Sequence, residues 1–270
     1  MKYIDIHAHL NFSDYNEDRN DVIERTVDND MGVINIGTNI ETSHEVVALT
    51  EKDKNFYAIV GMHPTDLDDT DLNDAREEIL EMIKSPKVVG IGECGLDYFR
   101  VSDNPKKYKD QQKEFFEMQI QLAIENDLPL MIHCRDAYGE TLEILQKYKI
   151  RTETEGDDYF KKKLRGDFHF FVGSALDTKE ILNLGFNISF TGVITFAPQY
   201  RELVELVPLE RMHAETDSPF VAPKQFRGKR NEPLYSIEVI RKIAEIKNLK
   251  IEEVEKQLLV NAKNLFGVEI

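Results

Sequence analysis

Short apolar runs alternate with amphipathic stretches along the whole chain, and this alternation constrains the fold more than any other feature. Strand-like runs fall at 3–6, 32–36, 56–61, 88–93, 130–134, 167–171, 187–190 and 211–215. Helical patterns occupy 17–29, 41–53, 71–84, 111–126, 138–148, 178–184 and 198–206, and two more, 235–247 and 251–265, close the chain. The second helix is expected to be capped near Thr42 or Ser43. About eight strands alternating with helices read as parallel βα units. The chain has 270 residues and no linker rich in Gly, Pro or Ser. The expectation is therefore one α/β domain, residues 1–270, folded as a (β/α)8 TIM barrel with extra C-terminal helices. A doubly wound open sheet is the alternative, but no dinucleotide or P-loop glycine motif follows an early strand. One polar, charged segment, 151–165, breaks the rhythm and reads as an excursion or short hairpin before the sixth strand.

Composition removes several functions. The formal net charge of −16 argues against a protein that coats nucleic acid, since such affinity comes from Lys and Arg neutralising phosphates. It leaves room for an enzyme that grips a few phosphates through metals and a local basic rim. No apolar run approaches the roughly 20 residues that span a bilayer, so no membrane contact is expected. A charge at Lys2 comes too early for a secretion signal. Cys94 and Cys134 form no CxxC pair and both end strand-like runs, which fits free thiols in a reducing, cytoplasmic setting. Nothing points to an obligate protein partner.

The chemistry gathers at strand ends. His7 and His9, spaced i, i+2, end the first run and so share one side of a strand. Glu93 ends the fourth run, His133 lies at the end of the fifth, His169 lies in the sixth, and Asp217 follows the eighth. In a parallel barrel all these ends meet on one face, where active sites sit. Taken singly, each has an ordinary structural explanation; Glu93, for instance, could pair with Arg135. Together they form a metal-binding set. Four imidazoles and two carboxylates exceed one tetrahedral zinc site and suit two divalent ions about 3.5–4 Å apart, bridged by a carboxylate. The mixed nitrogen and oxygen donors admit zinc, manganese or magnesium.

The stretches Ile6-His7-Ala8-His9-Leu10, Gly61-Met62-His63-Pro64, Gly92-Glu93-Cys94-Gly95-Leu96-Asp97-Tyr98, Ile132-His133-Cys134-Arg135-Asp136 and Glu215-Thr216-Asp217-Ser218-Pro219 resemble, in that order, the signatures of the TatD family of metal-dependent DNases. Arg227-Gly228-Lys229-Arg230-Asn231-Glu232-Pro233 is similar to the family's late loop. The resemblance spans residues 3 to 266 and implies an amidohydrolase-like barrel that hydrolyses DNA phosphodiester bonds, often from a 3′ end. It implies that His7 and His9 hold a first metal, His133 and His169 a second, that Glu93 bridges them, and that Asp217 binds metal and helps activate water. It places His63 near the substrate phosphate. Arg135 is a candidate phosphate contact, with an ion pair to Asp136 or Glu140 as the alternative. Arg227, Lys229 and Arg230 are expected to form a basic rim for short or single-stranded DNA, unless ion pairs with Glu232 or Asp217 pin their loop.

Two departures stand out. Where the family reads His-Cys-Phe-Ser-Gly, this chain has His169-Phe170-Phe171-Val172-Gly173, so Phe170 and Val172 should narrow or dry the pocket. The 151–165 segment is longer than the family's turn. Its place between a helix and a strand predicts the face opposite the site, and makes Lys161, Lys162, Lys163 and Arg165 a surface patch or partner contact. Two other readings compete. The same metals could cleave an ester or amide such as a D-aminoacyl-tRNA, or the protein could be a catalytically silent, metal-stabilised binder.

Overall fold

The apolar runs become eight parallel strands in the computed structural model, which describes residues 1–67, 70–99, 105–154 and 164–269. They are β1 (Tyr3–Ala8), β2 (Met31–Ile36), β3 (Phe56–Val60), β4 (Val88–Asp97), β5 (Leu130–Arg135), β6 (Gly166–Phe168), β7 (Asn187–Phe190) and β8 (Met212–Ala214). Each pairs in parallel with the next in sequence order. Closure comes from the chain just past β8. The Asp217 N–H donates to the His7 carbonyl at 2.9 Å, and the His9 N–H donates to the Ser218 carbonyl at 2.8 Å. The fold is thus the TIM barrel, not the open sheet.

The helices are α1 (Arg19–Asp28), α2 (Ile40–Leu49), α3 (Leu72–Met82), α4 (Pro105–Asn126), α5 (Tyr138–Thr154), α6 (Ala175–Asn183), α7 (Arg201–Leu206), α8 (Ser236–Lys247) and α9 (Ile251–Phe266). Each outer helix is held by one apolar stripe. On α9, Val254, Leu258, Ala262 and Leu265 are buried at helical spacing. Full burial of such a Val or Leu side chain is worth about 1.5–3 kcal/mol. The starts are capped by side chains: Asp71 on α3, and a reciprocal Ser174–Asp177 capping box on α6.

Several boundaries differ from the sequence reading. The cap of α2 is Asn39, and Thr42 is its reciprocal partner three residues in. Helix α4 starts at Pro105 instead of 111, because its first turn carries charged and exposed residues that leave no apolar period to read. Strand β4 runs on to Asp97, with its pairing to β5 shifting register between Ile91 and Cys94. Gly90, Gly92 and Gly95 have the spacing of a dinucleotide-binding turn, yet they lie inside this strand. A Cβ on Gly92 would stand 2.5 Å from the Met131 carbonyl, so backbone approach explains that glycine. Strand β6 ends at Phe168, so His169 follows the strand and does not lie within it.

Helix α5 continues to Thr154, into the segment expected to be irregular. Gly156, Asp157, Asp158, Lys161, Lys162 and Lys163 lie outside the described residues. Arg165 is described. Its carbonyl accepts the Leu130 N–H at the start of β5, and its guanidinium meets Asp127 at 2.8 Å. That is the N-terminal end of the barrel, away from the strand C-termini, as expected. Among the described residues no helix is long and apolar enough to cross a membrane, and Cys94 and Cys134 are free and buried.

One buried side chain fixes the mouth of β3. Gln119 of α4 accepts the Met62 N–H at 2.8 Å and donates to the Met62 carbonyl at 3.0 Å, holding the turn that carries His63. Gln119→Leu strands both backbone groups. At about 1–3 kcal/mol for each of the two buried groups left unpaired, unfolding stability should fall by about 2–6 kcal/mol. Urea denaturation reads this, and an unchanged midpoint would show that the turn is held by something else.

Candidate metal centre

Period-two geometry in β1 sends Asp5, His7 and His9 to the inside of the barrel. The two histidine Nε2 atoms come within 3.2 Å of each other. Asp217 Oδ1 lies 3.7 Å from His7 Nε2 and 3.4 Å from His9 Nε2. Glu93 Oε2 lies 3.3 Å and 3.8 Å from the same two atoms. The other Glu93 oxygen, Oε1, lies 2.9 Å from His133 Nδ1 and 2.8 Å from His169 Nε2, and those nitrogens are 3.2 Å apart. One carboxylate therefore faces two separate histidine pairs, one with each oxygen. Protons can satisfy such converging lone pairs only two at a time, whereas a cation satisfies all the donors around it. The donor set fits divalent metal at both positions.

Each imidazole is oriented from behind. His9 Nδ1 lies 2.9 Å from the Ile36 carbonyl, and His133 Nε2 lies 3.0 Å from Asp97 Oδ2. Glu215, fully buried, sits behind His7 and His169, 3.8 Å and 3.7 Å from their Nδ1 atoms. Asp5 accepts the His7 and Thr216 N–H groups and ties the ligand-bearing ends of β1 and the post-β8 chain together. Burial, helped by the His169 imidazole, pulls His7 down to about 4, so the ring is neutral with a lone pair to give. Burial alone would raise Glu93, but the surrounding imidazoles, His169 first, outweigh it and hold the carboxyl well below its ordinary range. For His133, Asp97 and Glu93 overcome burial and bring the ring up to about 9. Burial, with Asp167 and Asp217 near by, pushes Glu215 well above the usual carboxylate range.

All six residues read from the strand ends thus come together. Asp97 and Glu215 were quoted in the sequence motifs but given no role there. Glu215 stands two before Asp217, as Asp5 stands two before His7; a charged residue at strand spacing from a candidate ligand was the available signal.

A cavity of about 620 Å³ opens over the cluster. His9, His63, Glu93, His133, His169 and Asp217 form its floor, while Phe12, Phe170, Val172, Phe220 and Val221 supply an apolar wall. Phe170 and Val172 therefore stand where the departure from the family pattern placed them. His63 Nε2 lies 3.4 Å from Glu93 Oε1, and its Nδ1 accepts the Thr65 N–H at 3.2 Å. Arg135 lines the cavity with its guanidinium 3.5 Å above the Phe99 ring. Among the described residues it makes no ion pair with Asp136 or Glu140; Glu140 is engaged by Lys113 and the Tyr98 hydroxyl.

The loop cations expected to form a basic rim lie away from the cavity lining. Arg227, Lys229 and Arg230 do not line the cavity. Arg230 forms a two-pronged contact to Asp18, at 2.7 and 2.6 Å, donates to the Asp14 carbonyl and stacks over Tyr15. It pins the loop to the start of α1, and its terminal nitrogens are committed there. Glu232, offered as its alternative partner, pairs with Arg25 instead. Arg227 lies over the Phe196 ring. Sequence placed these cations on the correct loop but could not give the direction of their side chains.

Known proteins place this site in a family. The family model described as TatD related DNase matches residues 4–267. An uncharacterized metal-dependent hydrolase of Bacillus subtilis, YabD, is 39% identical over 267 residues, covering 98% of both chains. The protein named 3′-5′ ssDNA/RNA exonuclease TatD from Klebsiella pneumoniae is 30% identical over 275 residues, again covering 98% of each. Among solved structures, the TatD homologue YJJV of Escherichia coli superposes with a TM-score of 0.86 at 27% identity, covering 99% of both chains. With eight parallel strands, a metal-fitting cluster at their C-terminal ends and these matches along its length, the chain belongs to the TatD family of metal-dependent hydrolases.

Proposed function

We propose that this protein hydrolyses phosphodiester bonds of DNA, working inward from the 3′ end of short or single strands, with two divalent ions held by His7, His9, Glu93, His133, His169 and Asp217. The observation that carries this reading is Glu93, whose two oxygens address two different histidine pairs. A site for one ion has no use for that arrangement. Bound there, divalent ions lower the pKa of a water and offset charge on the phosphoryl oxygens.

The protein groups do the positioning. Asp217 reaches from the ladder that closes the barrel to the cavity floor, where its carboxylate can take a proton from the attacking water. The Thr65 N–H on His63 Nδ1 leaves the His63 proton on Nε2, which makes that edge a donor toward a phosphate oxygen. Arg135, held flat on Phe99, can supply the charge-assisted contact to a phosphate. The name of the Klebsiella relative, an exonuclease on single-stranded DNA and RNA, supports a nucleic-acid substrate.

The cavity wall also favours a second reading. Among the described residues Arg135 is the one Lys or Arg that lines it, and Phe12, Phe170, Val172, Phe220 and Val221 give it an apolar wall. That fits a small ester or amide, such as a D-aminoacyl end of tRNA, as well as a strand terminus.

Metal-loaded protein incubated with single-stranded DNA, an aminoacyl-tRNA and simple esters, with and without EDTA, separates these readings. The expected outcome is chelator-sensitive shortening of DNA from its 3′ end. Aminoacyl-tRNA turnover with intact DNA would replace the phosphodiester reading by the ester one. Glu93→Ala should keep the wild-type circular dichroism and lose hydrolysis; full activity in the folded variant would remove Glu93 from the centre. Asp97→Asn leaves His133 without its carboxylate partner, so Mn2+ affinity by calorimetry should fall roughly 10–100-fold. An unchanged affinity would mean that Asp97 does not orient the ring.

A further inference from the structure

The His7 and His169 rings are stacked, 4.0 Å between centroids and 9° from parallel. Glu93 spans their Nε2 edges, 3.3 Å from one and 2.8 Å from the other. Glu215 spans their Nδ1 edges, with Oε2 3.8 Å from His7 and Oε1 3.7 Å from His169. The stacked pair is thus held between two carboxylates, one on the cavity side and one in the barrel interior. Among the described residues, His7 Nδ1, His169 Nδ1 and Glu215 Oε2 are all buried and have no hydrogen-bond partner, so each is free to meet the group facing it. Glu215 Oε1 already accepts the Phe170 N–H at 2.6 Å. His7 belongs to one half of the centre and His169 to the other, so Glu215 stands behind both halves.

We infer that Glu215 is a positioning residue that fixes the tautomer of both histidines at once and thereby couples the two halves of the metal centre. This rests on the two-ion reading above. An imidazole that offers Nε2 to a cation carries its proton on Nδ1, and a buried Nδ1–H needs an acceptor. Cations bound in front of His7 and His169 would favour the ionised form of Glu215 against the burial that otherwise raises it, and a carboxylate has acceptor capacity on both oxygens: Oε2 would take the His7 proton, and Oε1 both the His169 proton and the Phe170 N–H. No neutral side chain of this size offers that. Glutamine keeps one acceptor oxygen and replaces the other with a donor. The Phe170 N–H requires the acceptor at the Oε1 position, so the amide NH2 is directed at His7 Nδ1. His7 then accepts there and carries its proton on Nε2, among His9, Asp217 and Glu93, where a lone pair is wanted. His169 keeps its acceptor.

The loss is therefore asymmetric, which a general packing defect would not produce. Equilibrium dialysis with Mn2+ followed by elemental analysis gives ions per chain, and wild type should hold two. A wild-type value of one would defeat the two-ion reading itself, before the variant is considered. Given two in wild type, Glu215→Gln should hold one, and His9→Ala in that background should leave the remaining ion in place, whereas His133→Ala should release it. Two ions bound with unchanged affinity, or equal weakening of both, would overturn the inference. So would a third wild-type ion lost in Glu215→Gln, which would make Glu215 a ligand. If Glu215→Gln does not fold, the wild-type protein loaded with Zn2+ still decides: nitrogen-15 NMR should show exchange-protected, strongly downfield Nδ1–H protons on His7 and His169. Rapid exchange of both would contradict a carboxylate partner.

Discussion

The centre depends on how the barrel closes. The parallel ladder between β1 and the chain past β8 rests on the bonds Asp217 N–H to His7 carbonyl and His9 N–H to Ser218 carbonyl. The same three residues, His7, His9 and Asp217, turn their side chains to one point. Closure and assembly of that half are a single event: if the ladder slipped by one residue, His7 and His9 would face away from the barrel axis. Asp5 reinforces the register by accepting N–H groups from both sides of the seam. Glu93 and the two histidines of the other half come from strand ends a third to a half of the way around, and the parallel topology brings them to the same mouth.

Much of this was legible in the sequence because strand geometry has a period of two and parallel barrels put their chemistry at one end. His7 and His9 declare themselves by spacing, and His133 and Asp217 by position after an apolar run. The buried inward face was harder to read. Asp5, Asp167, His213 and Glu215 line the barrel interior, where apolar residues are the ordinary expectation. The role of Asp5 and Glu215 is visible only once the histidines in front of them are placed in the fold. His213 shows the limit in the other direction: it is buried against Asp167 at 2.6 Å and takes no part in the cluster. The sequence reading ended β4 at Glu93, short of Gly95, which serves close backbone approach to His133 within the longer strand.

Electrostatics reconciles the acidic chain with the anionic substrate proposed for it. A formal charge of −16 repels DNA at long range, but screening removes most of that beyond roughly 8 Å at physiological salt. At the site the carboxylates are turned inward onto imidazoles. The loop cations that seemed to answer the acidity do so only in part: Arg230 secures the loop against Asp18. Among the described residues, the cavity above its floor holds Arg135, the polar Thr38, Thr65 and Asp66, and an apolar wall of Phe12, Phe170, Val172, Phe220 and Val221. For the proposed nucleic-acid substrate, such a wall suits the end of a strand, where a base can rest on an aromatic ring.

The central claim is that one carboxylate, Glu93, organises two cation positions. Anomalous diffraction from crystals grown with Mn2+ measures it without reference to any substrate. Two peaks flanking the Glu93 carboxylate are expected, one beside His7, His9 and Asp217 and the other beside His133 and His169. A single peak, or two peaks that do not share Glu93, would contradict it.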